Sequence, residues 1–336
     1  MRRVENPPNP YLSEHHEWLG PAPPARLEVF EDASRGILSE NDSPDIPFRW
    51  SVNPYRGCQH ACSYCYARAT HEYLGLGAGT DFDTKILVKP EAARLLAKAL
   101  ARPSWRRERI AFSGVTDCYQ PLEAAWKLTQ SCLQVCCDFA NPVTIVTKSF
   151  LVVRDADLLV RLHKLARASV FLSIPFADDR VARKVETGAP PPSSRFQAMR
   201  RLREAGVPVG IMLAPVIPGL NDRDIPTLLA RAADAGATAA GMMPLRLPRG
   251  VREVFLTRLR RELPDRAARV EARIRAMRGG DWNDARFGHR MHAEGAYWRS
   301  VRQLFDKSVR RFGLSHETRE NDAPKPNRPE QLRLFG

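Results

Sequence analysis

The 336-residue chain is 43% hydrophobic and 27% charged, a globular composition that excludes wholesale disorder. No apolar run approaches the roughly 18 residues of a membrane helix, and residues 1–7 lack the apolar stretch of a secretory signal, so a cytoplasmic protein is expected. Fifty-two Lys and Arg against 38 Asp and Glu leave a net charge of +14, which favours polyanions, nucleic acid first. Residues 1–48 are rich in Pro, Asn, Asp and Glu with little periodicity, and an irregular N-terminal extension is expected there. From 49 to 245, β-prone runs at 50–53, 109–113, 143–147, 170–174, 207–213 and 237–243 alternate with amphipathic stretches at 91–101, 123–139, 155–168, 194–205 and 223–235. That alternation predicts an α/β fold with a parallel sheet and crossover helices. About six units are too few for an eight-fold barrel, so a partial (β/α)6 TIM-like barrel is expected, with its site on the loops after the strands. Residues 246–314 read as a basic helical C-terminal segment packed on the barrel, with helices near 249–278 and 295–312, and 315–336 as a disordered tail.

Seven cysteines, an odd number, point in a reducing compartment to metal chemistry or buried thiols instead of disulfides. Cys132 and Cys136 fall on one face of a predicted helix beside apolar residues, and with Cys137 they are expected in its core. The strongest pattern is NPYRGCQHACSYCY (53–66), directly after the first strand. Cys58, Cys62 and Cys65, spaced CxxxCxxC, can converge on one metal centre. Structural zinc usually takes four ligands in two separated pairs, and no second CxxC pair is present. Three thiolates holding a [4Fe-4S] cube leave one iron open, at the end of the barrel where substrates bind. A small zinc knot, within a non-catalytic metal-stabilised nucleic-acid binding module, stays open as an alternative.

With Tyr64 at its aromatic position, the loop resembles that of the radical S-adenosylmethionine (SAM) superfamily. The resemblance implies a [4Fe-4S] cluster on Cys58, Cys62 and Cys65. It also implies S-adenosyl-L-methionine chelated at the open iron and its reductive cleavage to a 5′-deoxyadenosyl radical. SGVTDCYQPLE (113–123) and TKS (147–149) narrow the likeness to the spore photoproduct lyase-like branch, often labelled DNA repair photolyases. That likeness runs from about 42 to 314, and NDSPDIPF (41–48) and 71–86 agree with one bacterial group within it. It implies an enzyme acting on nucleic acid, by a repair lyase-like reaction or base modification. The alternative is a radical SAM enzyme on a protein or small-molecule substrate.

By the same resemblance Tyr64, Thr116 and Asp117 are cofactor-binding, the latter two near the methionine amine. Lys148 and Ser173 are placed to meet the methionine carboxylate. Glu186 and Arg195 are either a cofactor-binding pair or a plain ion pair, and APVIPG (214–219) is an apolar turn against adenine. Where the branch has a hydrogen-returning cysteine this chain has Gly114, so Cys118 and Tyr119, a few residues on, become the catalytic candidates. An electron donor such as flavodoxin or ferredoxin is implied as a partner. The end of the chain, with Gln331, Leu332, Leu334 and Phe335, is similar to a sliding-clamp docking peptide, although Arg333 departs from it. The arginines of 246–278 suit polyanion contact or a solvated helix face.

Overall fold

Strands buried on both faces must hydrogen-bond sideways, and a crossover helix returns the chain parallel to the strand it left. That logic runs in chain order through the computed structural model, which describes residues 6–14, 25–43, 45–46, 48–284, 286 and 289–316. The strands are β1 (Glu28–Glu31), β2 (Leu38–Glu40), β3 (Trp50–Val52), β4 (Tyr55–Arg56), β5 (Lys85–Val88) and β6 (Ile110–Phe112). They continue with β7 (Val143–Thr147), β8 (Ala168–Ser173), β9 (Val209–Val216), β10 (Ala239–Pro244) and β11 (Ser315–His316). In an eight-stranded sheet β3, β6, β7, β8, β9 and β10 lie side by side, each parallel to the next. Antiparallel β2 borders β3 and parallel β11 borders β10. The fold is therefore mixed α/β around a parallel-strand sheet.

Register decides where the site forms. Val52 pairs with Phe112, Phe112 with Ile145, Thr147 with Leu172, and Ser173 with Met212. β3 and β6 end in register while β7 and β8 run two and three residues further, and the loops beginning at Asn53, Ser113, Lys148 and Ile174 leave from one edge. In open parallel sheets this is the edge that carries ligand sites. A second sheet of β1, β5 and β4 grips the chain between β3 and the cysteine loop, with Arg56 held to Asp32 at 2.9 Å.

Helices Ala92–Leu100, Ala156–Ala166, Pro192–Ala205 and Ile225–Asp234 match the predicted amphipathic stretches within a few residues. The expected single helix over 123–139 is instead two, Glu123–Trp126 and Leu128–Asp138, broken at Lys127 with φ of 51°. The cause is local. The Glu123 carboxylate accepts from the backbone N–H groups of Thr129 and Gln130 at 2.9 and 3.2 Å, satisfying donors that a continuous helix would bond internally. Cys132, Cys136 and Cys137 are buried in the second helix, as core residues.

The N-terminal stretch expected to be irregular supplies β1 and β2 to the two sheets. At the other end Ser315–His316, in the stretch read as a tail, forms β11, its Ser315 N–H donating to Thr238 O at 2.9 Å. The peptide of Gln331, Leu332, Leu334 and Phe335 lies outside the described residues. Helices Val251–Glu262, Pro264–Ala276 and Gly295–Arg311 bury Phe255, Ile274, Trp298 and Phe305 in the same core as Ile211 and Leu229. Among the described residues no helix is long and apolar enough to cross a membrane.

Candidate active site

The cysteine loop leaves β4 through Gly57, whose φ of 80° and lack of a side chain let it turn where a Cβ would meet His71 Cε1 and Ile86 Cδ1 at 2.9 Å. Three neighbouring segments then hold the loop. Arg68, fully buried, donates to the Cys62 carbonyl at 2.8 Å and pairs with Asp83 at 2.7 Å. Gln120 accepts from the Gln59 N–H at 3.0 Å and donates to Gly57 O at 3.1 Å, while Gln59 accepts from Leu122 N–H at 2.8 Å. On the far side Ser63 N–H donates to Val185 O at 3.0 Å and Gly188 N–H to His60 O at 3.0 Å. Gly188 is obligatory there, since a Cβ would stand 2.1 Å from Gln59 O.

Cys58 and Cys62 are buried and Cys65 half-buried, and none is in a disulfide. Burial pushes the Cys58 thiol well above its usual range, and Asp117, Cys65 and Cys62 add to it electrostatically. Burial likewise pushes Cys62 up to about 12, with Lys148 opposing and Glu186 and Cys65 adding. Cys65 is raised by burial against the pull of Arg68. The backbone N–H groups of Asp117 and Ala67 face the Cys58 and Cys65 sulfurs. Thiols within each other's field, faced by N–H donors, suit deprotonation on binding iron, because metal binding displaces the protons. Among the described residues no three His, Cys, Asp or Glu side chains close on a single ion. A four-iron cube binds each thiolate to a different iron, so its ligands need not meet at one point. The donor set therefore fits the group that the resemblance implies.

Beside Cys62 the structure brings together five of the predicted residues. Tyr64 donates its hydroxyl to Glu186, which also pairs with Arg195. Arg195 in turn donates to the carbonyls of Ser173 and Pro190, both at 2.8 Å. The carboxyl of Glu186, which burial alone would raise, is held below its ordinary value by Arg195, Lys148 and Tyr64. Lys148 Nζ donates to Ser173 Oγ at 2.9 Å and lies 3.9 Å from Glu186 Oε1 and 5.7 Å from the Tyr64 ring centre. Its nearest carboxylate is already committed to a closer guanidinium and phenol. Its ammonium is thus held by the Ser173 hydroxyl, with Glu186 at longer range.

Asp117 organises the turn after β6, next to the Lys148 backbone. It accepts from Thr147 Oγ1 at 2.6 Å, Lys148 N–H at 2.8 Å and Tyr119 N–H at 2.9 Å, and lies 3.2 Å from His60 Nδ1. Burial would raise its carboxyl, but His60 and these donors hold it well below the usual carboxylate range. Thr116 gives its hydroxyl to Tyr55 O at 2.9 Å, so it braces the turn that carries Asp117. Ser113, at φ of 72°, accepts from Cys118 N–H at 2.9 Å and closes the same turn.

Cys118 and Tyr119 lie apart from this group, both fully buried in the main core. Thr129 donates to the Cys118 carbonyl at 2.6 Å, and the Tyr119 hydroxyl donates to Asp155 at 3.0 Å. Several positions had no role assigned from the sequence although they stand inside or beside the quoted motifs. They are His60, Arg68, Gln120 and Glu123, and Tyr66, whose hydroxyl donates to Gly114 O. Their placement within or just after the CxxxCxxC and SGVTDCYQPLE segments was the available signal.

Among solved structures, the chain is similar to a spore photoproduct lyase variant with bound S-adenosylmethionine and dinucleoside spore photoproduct. The TM-score is 0.59 at 17% identity, covering 86% of this chain and 81% of that one, a likeness of fold. An uncharacterised protein of Mycobacterium tuberculosis is 40% identical over 226 residues, 67% of this chain and 66% of the relative. The match thus spans just under two thirds of that relative's length. An uncharacterised protein of Methanocaldococcus jannaschii is 31% identical over 198 residues, 59% of this chain and 71% of the relative. Residues 52–232 match the Radical SAM superfamily, a span that takes in the cysteine loop and four of the strand ends around it. On that match, more than half of its length, the chain belongs to the Radical SAM superfamily.

Proposed function

We propose that the protein is a radical SAM enzyme acting on nucleic acid, built on a partial (β/α)6 barrel that opens at the strand ends described above. The observation that carries the enzyme reading is Lys148, a half-buried ammonium next to Cys62 whose neighbouring carboxylate already belongs to Arg195. When bound, a [4Fe-4S] cluster and SAM supply reductive cleavage to a 5′-deoxyadenosyl radical, with the electron drawn from a donor such as flavodoxin or ferredoxin. Cys58, Cys62 and Cys65 hold the cluster. Lys148 and Ser173 hold the methionine carboxylate, Lys148 as the charge and Ser173 as the group that orients it. Glu186 and Arg195 fix Tyr64 and the Ser173 backbone, so that the wall facing the cofactor does not reorganise on binding. Asp117 and Thr116 shape the turn that receives the methionine amine.

Two observations support nucleic acid as the substrate class: the net charge of +14, and the likeness of fold to a lyase that holds a dinucleoside photoproduct. Either a repair lyase-like reaction or base modification fits them. The test is anaerobic reconstitution of the full chain with iron and sulfide, followed by 5′-deoxyadenosine measurement with irradiated DNA, intact DNA or RNA, and without nucleic acid. Nucleic acid is expected to raise 5′-deoxyadenosine formation, and Cys62→Ala is expected to abolish both iron uptake and product. Unchanged formation with every nucleic acid would turn the reading towards a protein or small-molecule substrate. Zinc bound in place of iron would return it to a binding module without catalysis.

A further inference from the structure

The arginines of 246–278 meet different fates. Arg258 and Arg278 are buried, and Arg260 pairs with Glu271 at 2.8 Å. Arg246 and Arg249 instead lie over aromatic rings. The Arg246 guanidinium stands 5.5 Å from the Tyr66 ring centre, and that of Arg249 stands 4.8 Å from Tyr11 and 5.3 Å from Tyr73. Tyr11 and Tyr73 face each other at 4.8 Å with a 37° tilt. Tyr66 directly follows Cys65, and Tyr73 lies further along the same segment. The 246–249 stretch therefore runs alongside 66–73 and leads outward from the cysteine loop. At the outer end Arg249 lines a cleft that also holds Trp282.

These rings are open to solvent, Tyr66 by 43%, Tyr11 by 46% and Tyr73 by 64%. Arg249 has no carboxylate partner among the described residues. Exposed aromatic faces alone would suit any apolar partner, but exposed faces beside the exposed Arg249 guanidinium, which no carboxylate neutralises among the described residues, suit a chain of planar rings joined by anions. We propose that this face is a docking track for single-stranded nucleic acid. Bases stack on Tyr66, Tyr73 and Tyr11, and phosphates meet Arg249, while Arg246, which donates to Met291 Sδ, backs the Tyr66 ring. The inference rests on the nucleic-acid reading above and adds the strand state and the side chains. A duplex keeps its bases stacked on one another and offers this face only phosphates, whereas every unpaired base has a free π-face.

The test is fluorescence anisotropy of the reconstituted full chain with a labelled oligothymidylate of about 12 nucleotides, within the range of single-strand sites, and with a duplex of equal length. The wild-type protein is expected to bind the single strand more tightly than the duplex, and more weakly as salt rises. Tyr73→Ala is expected to weaken single-strand binding roughly 5- to 100-fold, the span of one lost stacking contact, and Arg249→Gln roughly 10- to 100-fold, that of one charge-assisted phosphate contact. Tyr73→Leu keeps the apolar bulk without the ring, and should lose affinity like Tyr73→Ala while matching wild type in iron content and thermal midpoint. If wild type binds no oligonucleotide, the nucleic-acid reading fails and this inference with it. If wild type binds but the three variants bind as well, the track is overturned and the substrate class stands. Displacement of the oligonucleotide by an equal charge of polyglutamate would reduce the face to a general anion surface and would also overturn it.

Discussion

Tyr55, just before the cysteine loop, and Tyr64, within it, each donate to a buried glutamate that pairs with an arginine. The first network is Tyr55, Glu123 and Arg154, extended to Asp155 and Tyr119; the second is Tyr64, Glu186 and Arg195, extended to Lys148. Their residue types are nearly the same, but their charge balance is opposite. Around Arg154 two carboxylates face one guanidinium, and the excess acceptors are filled by the backbone N–H groups of Thr129 and Gln130 and the side chain of Gln130. Around Glu186 one carboxylate faces a guanidinium and an ammonium, and the ammonium of Lys148 is the outermost member. A network whose acceptors are all filled from within is a brace. One left with a surplus charge at its rim is what the proposed carboxylate site at Lys148 requires.

Arg195→Leu should have the largest effect, because it strands a fully buried carboxylate. Breaking such a pair typically costs about 3–5 kcal/mol, and chemical denaturation should show a loss of that size, with Lys148 drawn towards Glu186. A loss below about 1 kcal/mol, the level of an exposed pair, would break the comparison. Lys148→Met should leave stability nearly unchanged but raise the dissociation constant for SAM in calorimetry roughly 10- to 100-fold, the value of a charge-assisted hydrogen bond. An unchanged affinity would mean that the surplus charge faces something other than the cofactor. Tyr119→Phe should be the mildest, costing about 1 kcal/mol for one lost hydrogen bond, since Asp155 keeps Arg154 and Gln130. SAM affinity should not move, and a change there would join the two networks into one.

The sequence carries much of this because its signals are local. The six strands, the crossover helices and the cysteine loop follow from periodicity and spacing, whereas Lys148 and Ser173 were singled out by the family resemblance, at the ends of β runs. The break at Lys127 was not legible, because Glu123 caps the second helix with a side chain that also serves Arg154, far along the chain. Nor was the strand at Ser315–His316, which needs the open edge of β10 to exist first.

What the sequence by itself determined is the kind of chemistry: three thiols within one short segment, after the first strand of a sequential parallel sheet. Those relations depend on residue type and on distances along the chain, which no packing can alter. The tertiary structure alone decided which charges neutralise one another. Glu186 turns to Arg195 and Tyr64, Asp117 to Thr147 and the Lys148 backbone, and Arg246 and Arg249 to tyrosines. Electrostatic pairing falls off over a few ångströms of space regardless of separation in sequence, so only the folded chain could leave Lys148 in surplus and set the arginines beside the exposed rings.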